Sequence, residues 1–194
     1  MAVCKDSFSD ILIIMSLIIA FWPDEETARR LSIPGGEKQD NLHMTLMYVS
    51  EEPTQDDIYC AVQAVNNFVR EYVEEGDSAI TGRVSGFGRF ANDEEDVLYA
   101  GVDMPGLEHD RHELMEMFED YCSEEMEETL EHPEHGFTPH ITLKYMEPGD
   151  ALPFDRYPSV PLTFEYIVVA ADNFMYRVPL ANPSDVIYDI RMEM

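Results

Sequence analysis

The chain has 194 residues and a hydrophobic content of 45%, which is typical of a folded globular protein rather than a disordered one. Its 40 acidic and 12 basic residues give a formal net charge of −28, which argues against tight, non-specific binding to long RNA or DNA. Such binding depends on Lys and Arg side chains that neutralise phosphates. Three widely spaced cysteines, Cys4, Cys60 and Cys122, favour neither a disulfide framework nor a cysteine-rich metal site, and they suit a reducing, cytoplasmic location.

The first apolar stretch covers residues 11–22 and is interrupted only by Ser16. It is too short to span a bilayer, which takes about 20 residues, so no membrane partner is expected. A secretory signal peptide is a weaker alternative, because Asp6 and Asp10 interrupt its start and no small-residue cleavage site follows. We therefore predict a buried strand near residues 17–22, preceded by an N-terminal extension over residues 1–15.

Further helices and strands are predicted from helix-capping residues, turn residues and the spacing of hydrophobic residues. Asp24 is expected to cap a helix over 25–31, and Thr54 with Asp57 resembles the capping box of a second helix. The remaining predicted elements are a strand over 42–49, a hairpin of 80–90 with 97–102, a long helix over 107–130, a strand over 139–146, and a hairpin of 162–170 with 174–178. Strict β-α-β alternation is absent, so the pattern predicts an α+β domain over 16–180 with largely antiparallel sheets and a C-terminal tail over 181–194.

One short motif occurs twice, as His43-Met44-Thr45-Leu46 and as His140-Ile141-Thr142-Leu143. Both copies lie in predicted strands, where alternate side chains share a face. His43 and Thr45 should therefore face one way and their apolar neighbours the other. The same alternation groups His140 with Thr142 and Lys144, and it predicts that Tyr48 and Tyr145 point into the core.

Two imidazoles beside one phosphate can supply the base and the acid that phosphodiester cleavage requires near neutral pH. Threonine hydroxyls can donate hydrogen bonds to the non-bridging oxygens, where negative charge builds up. Lys144 is a further candidate for phosphate binding, although a solvated lysine is an equally good interpretation. The sequence does not determine which histidine is the base. A single His-x-Thr is more often structural, but two copies on strands strengthen the catalytic hypothesis.

Other signals favour structural roles. The pairs His109 with His112 and His132 with His135 have a spacing that metal ligands can adopt, but acidic neighbours indicate a solvated surface, so no metal or cofactor is expected. Trp22 and Phe137 are candidates for stacking on a nucleobase, with packing as the alternative. Gly86-Phe87-Gly88 is expected to bend a strand rather than to bind phosphate. Arg83 and Arg89 are possible phosphate contacts that the pattern does not place.

The two motifs, the second extended as Phe137-Thr138-Pro139-His140-Ile141-Thr142-Leu143, resemble the signatures of the 2H phosphoesterase superfamily. That superfamily includes 2′-5′ RNA ligase-like proteins, cyclic phosphodiesterases and phage enzymes that destroy cyclic-nucleotide immune signals. The resemblance covers most of the chain. The segments 34–36 and 86–90 are most similar to a phage branch.

The resemblance implies a bilobal α+β fold, with two mainly antiparallel sheets related by a pseudo-two-fold axis around a central cleft. It also implies catalysis without a metal and active-site roles for His43, Thr45, His140 and Thr142. We therefore expect a phosphodiesterase acting on a small nucleotide: a 2′,3′-cyclic phosphate, a 2′-5′ linkage or a cyclic oligonucleotide signal. A catalytically weak binding module, such as an accessory of phage head assembly, is the alternative. The sequence gives no oligomeric state.

Overall fold

The computed structural model describes residues 16–74, 79–122, 137–156, 159–171, 174–181 and 185–190. The predicted N-terminal extension, residues 1–15, lies outside them, as do His132 and His135. Among the described helices, none is long and apolar enough to cross a membrane.

The strands form one hydrogen-bonded antiparallel sheet, and all the predicted strands are present. Their bounds in chain order are β1 (Leu17–Pro23), β2 (Met44–Ser50), β3 (Ile80–Phe90), β4 (Asp96–Asp103), β5 (His140–Met146), β6 (Pro161–Ala171), β7 (Phe174–Pro179) and β8 (Ile187–Ile190). The order across the sheet is β2-β1-β6-β3-β4-β5, with β7 paired to β6 and β8 paired to β7. All pairs among the described strands are antiparallel, which confirms the α+β class.

Strand β6 joins two groups of strands. Its first residues, from Pro161 to Phe164, pair with β3, whereas the stretch from Phe164 to Ala170 pairs with β1. The two groups that we expected as separate sheets are therefore continuous through this one long strand. A strand of 11 residues can do this because it is twice as long as the average strand.

In the part of the chain that the structure describes, three α-helices accompany the sheet: α1 (Glu25–Leu31), α2 (Gln55–Glu74) and α3 (Leu107–Glu119). The predicted caps are present, since the Thr27 amide donates to the Asp24 carboxylate at 2.6 Å. Thr54 and Asp57 exchange reciprocal hydrogen bonds of 2.6 and 3.2 Å at the N-terminus of α2.

Two features differ from the sequence expectations. Helix α3 ends at Glu119 with a turn over 120–122, whereas we predicted a helix to residue 130, beyond the described segment. Strand β8 lies within the predicted C-terminal tail and extends the sheet past residue 180. Its pairing depends on β7, and a strand of four residues leaves little signal in sequence.

Alternate residues of β1 contribute to two apolar clusters. Leu17, Ile19 and Phe21 belong to the main core with residues of all three helices. Ile18, Ala20 and Trp22 face the other way and pack with Val168 and Ala170 of β6. Every residue of β1 is thus buried, which explains the uninterrupted apolar sequence there. The second cluster ends at Trp22, next to the first His-x-Thr motif.

Candidate active site

His43 lies immediately before β2 and is held by the backbone of the preceding turn. A single 3₁₀ turn, Gln39–Asn41, leads into the motif. The His43 Nδ1 lies 2.7 Å from the carbonyl oxygen of Asn41. A carbonyl only accepts hydrogen bonds, so Nδ1 carries the proton of the neutral ring and Nε2 carries the lone pair. The local backbone therefore orients His43 with its basic nitrogen away from the turn.

His140, the first residue of β5, is held in the same way. Its Nδ1 lies 2.7 Å from the carbonyl oxygen of Thr138, again two residues upstream. The same physical argument gives Nε2 the lone pair when this ring is neutral. The two motifs thus repeat in local geometry as well as in sequence, each presenting an Nε2 that can exchange a proton.

The expected alternation holds within each motif. Met44 and Leu46 are buried in the main core, as are Ile141 and Leu143, whereas the histidines and threonines are half-buried. The apolar members hold each strand against the core, which leaves imidazole and hydroxyl groups on the opposite face.

A register irregularity follows the threonine in both strands. Thr45 pairs with Ala20 and Met47 with Ile19, so Leu46 has no residue opposite it. In β5, Thr142 pairs with Tyr99 and Lys144 with Leu98, so Leu143 is the extra residue. An extra residue of this kind shifts the side-chain alternation by one position.

These two bulges correct three expectations. Tyr48 pairs with Ile18 and so shares the face of Thr45, where it packs with the second apolar cluster rather than in the main core. Tyr145 is 42% exposed instead of buried. Lys144 lies opposite the buried Leu98, so strand alternation does not group it with His140 and Thr142. Its amine instead approaches Gly35.

Trp22 contacts His43 directly. The two rings are stacked, with centroids 4.7 Å apart and planes inclined by 15°. The Trp22 indole N–H donates to the carbonyl oxygen of Asp40 at 3.0 Å, and the residue is only 7% exposed. One face of the indole is therefore occupied by the imidazole, which suits a role in positioning His43 better than one in binding a nucleobase.

His140 has its own aromatic neighbours, which the sequence did not single out as site residues. The rings of Phe90 and Tyr99 meet it edge-on at centroid distances of 4.9 and 5.4 Å. They also stack on each other at 4.2 Å. Gly88 permits this arrangement, because a Cβ there would lie closer than 3.0 Å to the Tyr99 ring. The glycine-rich segment 86–88 was the available signal, and it follows a register shift between Val84 and Gly86 in β3.

The loop before the first motif contacts the second. The Glu37 amide donates to the carbonyl oxygen of Leu143, the extra residue of β5, at 2.8 Å. Gly36 lies against that same carbonyl. Strands β2 and β5, which stand at opposite ends of the strand order, also contact each other. The curved sheet thus brings its two motif-bearing edges together.

The two imidazoles also interact electrostatically. Burial lowers the pKa of His43 below its ordinary value, and positive charge on His140 lowers it further. The hydrogen bond to the carbonyl of Asn41 acts in the opposite direction and is outweighed. His43 is therefore biased toward the neutral form, which is the form that accepts a proton.

The remaining candidates contact other protein groups. The guanidinium of Arg111 lies over the Phe137 ring, 4.7 Å from its centroid. Arg83 pairs with Asp103 and Arg89 with Asp96, at 2.6 and 3.0 Å, so both arginines are engaged by carboxylates.

The histidine pair on α3 does not form a metal site with its neighbours. His109 and His112 are exposed and pair with Glu113 and Glu116, one turn further along the helix. Within the described ranges, no group of three or more His, Cys, Asp or Glu side chains is arranged to hold a metal ion.

Solved structures similar to this one share its fold at low sequence identity. The protein TT0787 of Thermus thermophilus matches with a TM-score of 0.61 and 19% identity, over 92% of this chain and all of that one. A structure described as a phosphoesterase gives a TM-score of 0.53 and 16% identity, over 90% and 94% of the two chains. E. coli LigT complexed with ATP gives 0.51 and 15%, over 90% and 92%.

LigT complexed with 3′-AMP has a TM-score of 0.50 and 18% identity, over 89% of this chain and 96% of LigT. No curated protein sequence matches the chain significantly. The family model of the 2′-5′ RNA ligase superfamily matches residues 19–159, a span that includes both His-x-Thr motifs. The chain therefore belongs to the 2′-5′ RNA ligase superfamily, whose members are 2H phosphoesterases.

Proposed function

We propose that the protein is a metal-independent phosphodiesterase that hydrolyses a small nucleotide phosphodiester by two-histidine acid–base catalysis. The observation that carries this proposal is the repeated anchoring of His43 and His140, each by its Nδ1 to a backbone carbonyl 2.7 Å away. The anchoring gives both rings a proton-exchanging Nε2, and family membership supports phosphoesterase chemistry.

The surroundings of the two rings suggest different roles. The lowered pKa of His43 suits a general base, which must be neutral to accept a proton. On a 2′,3′-cyclic phosphate, His43 takes a proton from water as the water oxygen attacks phosphorus. His140 then donates its proton to the departing ribose oxygen, and a phosphomonoester forms. Thr45 and Thr142 donate hydrogen bonds to the non-bridging oxygens as their charge increases.

The substrate class follows from charge and from the relatives. A formal charge of −28 disfavours a long polyanion but leaves room for a small ester bound by a few local donors. Similar structures of LigT contain 3′-AMP or ATP, both small nucleotides. We propose 2′,3′-cyclic phosphates, 2′-5′ linkages and cyclic oligonucleotide signals as the candidates, the last of which would suit a phage anti-defence enzyme in a host cytoplasm.

The decisive experiment is a turnover screen of these three substrate classes with EDTA present. The wild type should cleave at least one of them. His43→Ala and His140→Ala should each reduce kcat/KM by at least the ~10²–10⁴-fold typical of a positioned acid or base. Thr45→Val and Thr142→Val, which keep the shape and remove the donor, should lower kcat in a folded protein.

Three results would count against the proposal. Turnover lost in EDTA and restored by one divalent ion would replace it with a metal mechanism. Histidine variants as active as the wild type would remove the catalytic assignment. Absence of turnover on every class would favour the binding-module alternative.

A further inference from the structure

Arg111 lies half-buried at the second turn of α3, in an otherwise strongly acidic protein. Burial lowers the pKa of its guanidinium. Desolvating a charged group is costly unless the group makes specific contacts, so its neighbours indicate what the residue does. Two of those neighbours belong to the two motif segments.

The first contact is with the segment of His43. The Arg111 Nε donates to the carbonyl oxygen of Leu46 at 2.8 Å. Leu46 is the residue that the β2 bulge leaves without a partner in β1, and it directly follows Thr45. The side chain of a distant helix thus bonds to the backbone of the first motif strand at its bulge.

The second contact is with the segment of His140. The guanidinium lies over the ring of Phe137, with its central carbon 4.7 Å from the ring centroid. Phe137 precedes Thr138, whose carbonyl holds the His140 ring at Nδ1. A planar guanidinium can donate in its plane while it stacks with its face, which a lysine ammonium cannot do.

From these two contacts we infer that Arg111 is a positioning residue, which fixes the spacing between the two His-x-Thr segments by bonding to one and stacking on the other. This inference rests on the proposed function. Arg111 acts through the backbone at Leu46 and through Phe137, so its removal should disturb the relative placement of the imidazoles. Misplacement of reacting groups by about 1 Å can cost about 10²-fold in rate.

The test compares Arg111→Met, which keeps most of the volume without the donor or the plane, with Arg111→Lys. Arg70→Met is the matched control, because it removes the same charge from an exposed position on α2 that contacts Asn67. We expect Arg111→Met to lower kcat about 10- to 100-fold with KM changed less than about threefold. Arg111→Lys should recover part of kcat, and Arg70→Met should match the wild type.

A double-mutant cycle examines the stacking contact. Phe137→Leu removes the ring while Arg111 keeps its bond to Leu46. If Arg111 acts on His140 through this ring, the effects of Arg111→Met and Phe137→Leu on kcat will be less than additive. Strictly additive effects on kcat would show that Phe137 and Arg111 act independently, and they would overturn the bridging role. The cycle also provides a readout if Arg111→Met folds poorly, since Arg111→Lys can replace it.

An NMR titration of the imidazoles needs no substrate. In Arg111→Met the pKa of His43 should rise toward its ordinary value, because the ring is less enclosed and further from His140. An unchanged titration together with an unchanged kcat would refute the inference while leaving the phosphodiesterase proposal intact. A wild type without turnover would refute that proposal, and the titration would still decide the role of Arg111.

Discussion

A histidine that accepts a proton near neutral pH has to be uncharged before the reaction begins, and the position of His43 favours that state. Its ring is stacked on Trp22 at 4.7 Å and half-buried, and the nearby His140 opposes a second positive charge. Burial and the charge of His140 both favour neutral imidazole, while the Nδ1 contact with Asn41 determines which nitrogen holds the lone pair.

The pH dependence of Trp22 variants tests this assignment. In its proposed role of general base, His43 is active above its pKa, so kcat/KM should fall on the acid side as the ring is protonated. Because that pKa is lowered from 6.5, the acid limb of the wild type should lie below 6.5. Trp22→Leu exposes the imidazole to water, so the limb should move up in pH. The measurement is kcat/KM from about pH 5 to 9, a range that brackets histidine titration.

Trp22→Phe is the control, because it keeps an aromatic ring against His43 while it removes the N–H bonded to Asp40 and one ring of the indole. Its acid limb should stay close to that of the wild type. If Trp22→Leu lowers kcat/KM equally at every pH, Trp22 contributes only to packing, and the stacking has no part in tuning the base.

At the scale of residues, the sequence was sufficient to predict which way the motif side chains face. It was not sufficient to predict which side chains contact them in space. Strand alternation is local, so the burial of Met44 and Ile141 followed directly from spacing. The stacking partner of His43 depends on how β1 pairs with β2, and Arg111 meets Leu46 across 65 residues of chain. Such contacts depend on tertiary packing, which no local pattern encodes.

At the scale of elements, the two bulges are the feature that sequence spacing does not reveal. Each inserts one residue after a His-x-Thr unit and reverses the alternation that follows, which moved Tyr48 and Tyr145 away from their predicted core positions. Register depends on the partner strand, so a pattern read along one strand misses such a shift. The carbonyls of the extra residues Leu46 and Leu143 then accept bonds from Arg111 and Glu37, respectively.

The loop at Pro34-Gly35-Gly36 offers a test at the same scale. A Cβ on Gly36 would lie closer than 3.0 Å to the Leu143 carbonyl and to Ile33, so Gly36→Ala should force the loop away from β5. We expect a loss of about 1–3 kcal/mol in the free energy of unfolding, as overpacking usually produces. Turnover should fall as well, because the loop connects the first motif to the strand of the second. Chemical denaturation and kcat provide the two measurements.

Gly86→Ala is the matched control, since a Cβ there would meet nothing within 4 Å. It should leave both stability and turnover near wild-type values. If Gly36→Ala behaves like Gly86→Ala, then the close approach of the loop to Leu143 has no energetic consequence, and the loop does not help to hold the two motif segments together.

At the scale of the whole molecule, one long strand and one curved sheet bring distant parts of the sequence together. Strand β6 pairs with both β1 and β3, and the strands that carry the motifs stand at the two ends of the strand order yet contact each other. The sequence predicted the α+β class and the strands up to β7. It did not predict that the two groups of strands form one continuous sheet. That continuity arises because β6 pairs with both β1 and β3, and strand pairing across the fold cannot be read from the sequence of one strand.

The net charge of −28 predicts how kcat/KM should depend on salt concentration. A small anionic substrate releases few counterions on binding, so kcat/KM should depend weakly on ionic strength, in contrast to a long nucleic acid held by many Lys and Arg. Added salt should even raise kcat/KM modestly, because it screens the repulsion between the acidic surface and the substrate. The measurement is kcat/KM for the best small substrate from low salt to about 0.5 M, a range over which the Debye length falls well below 10 Å.

A neutral competitive inhibitor, whose binding should not change over this range, controls for salt effects on the protein itself. A steep fall of kcat/KM with salt would point to a long nucleic-acid substrate, and it would overturn the small-nucleotide assignment while leaving the two-histidine chemistry in place.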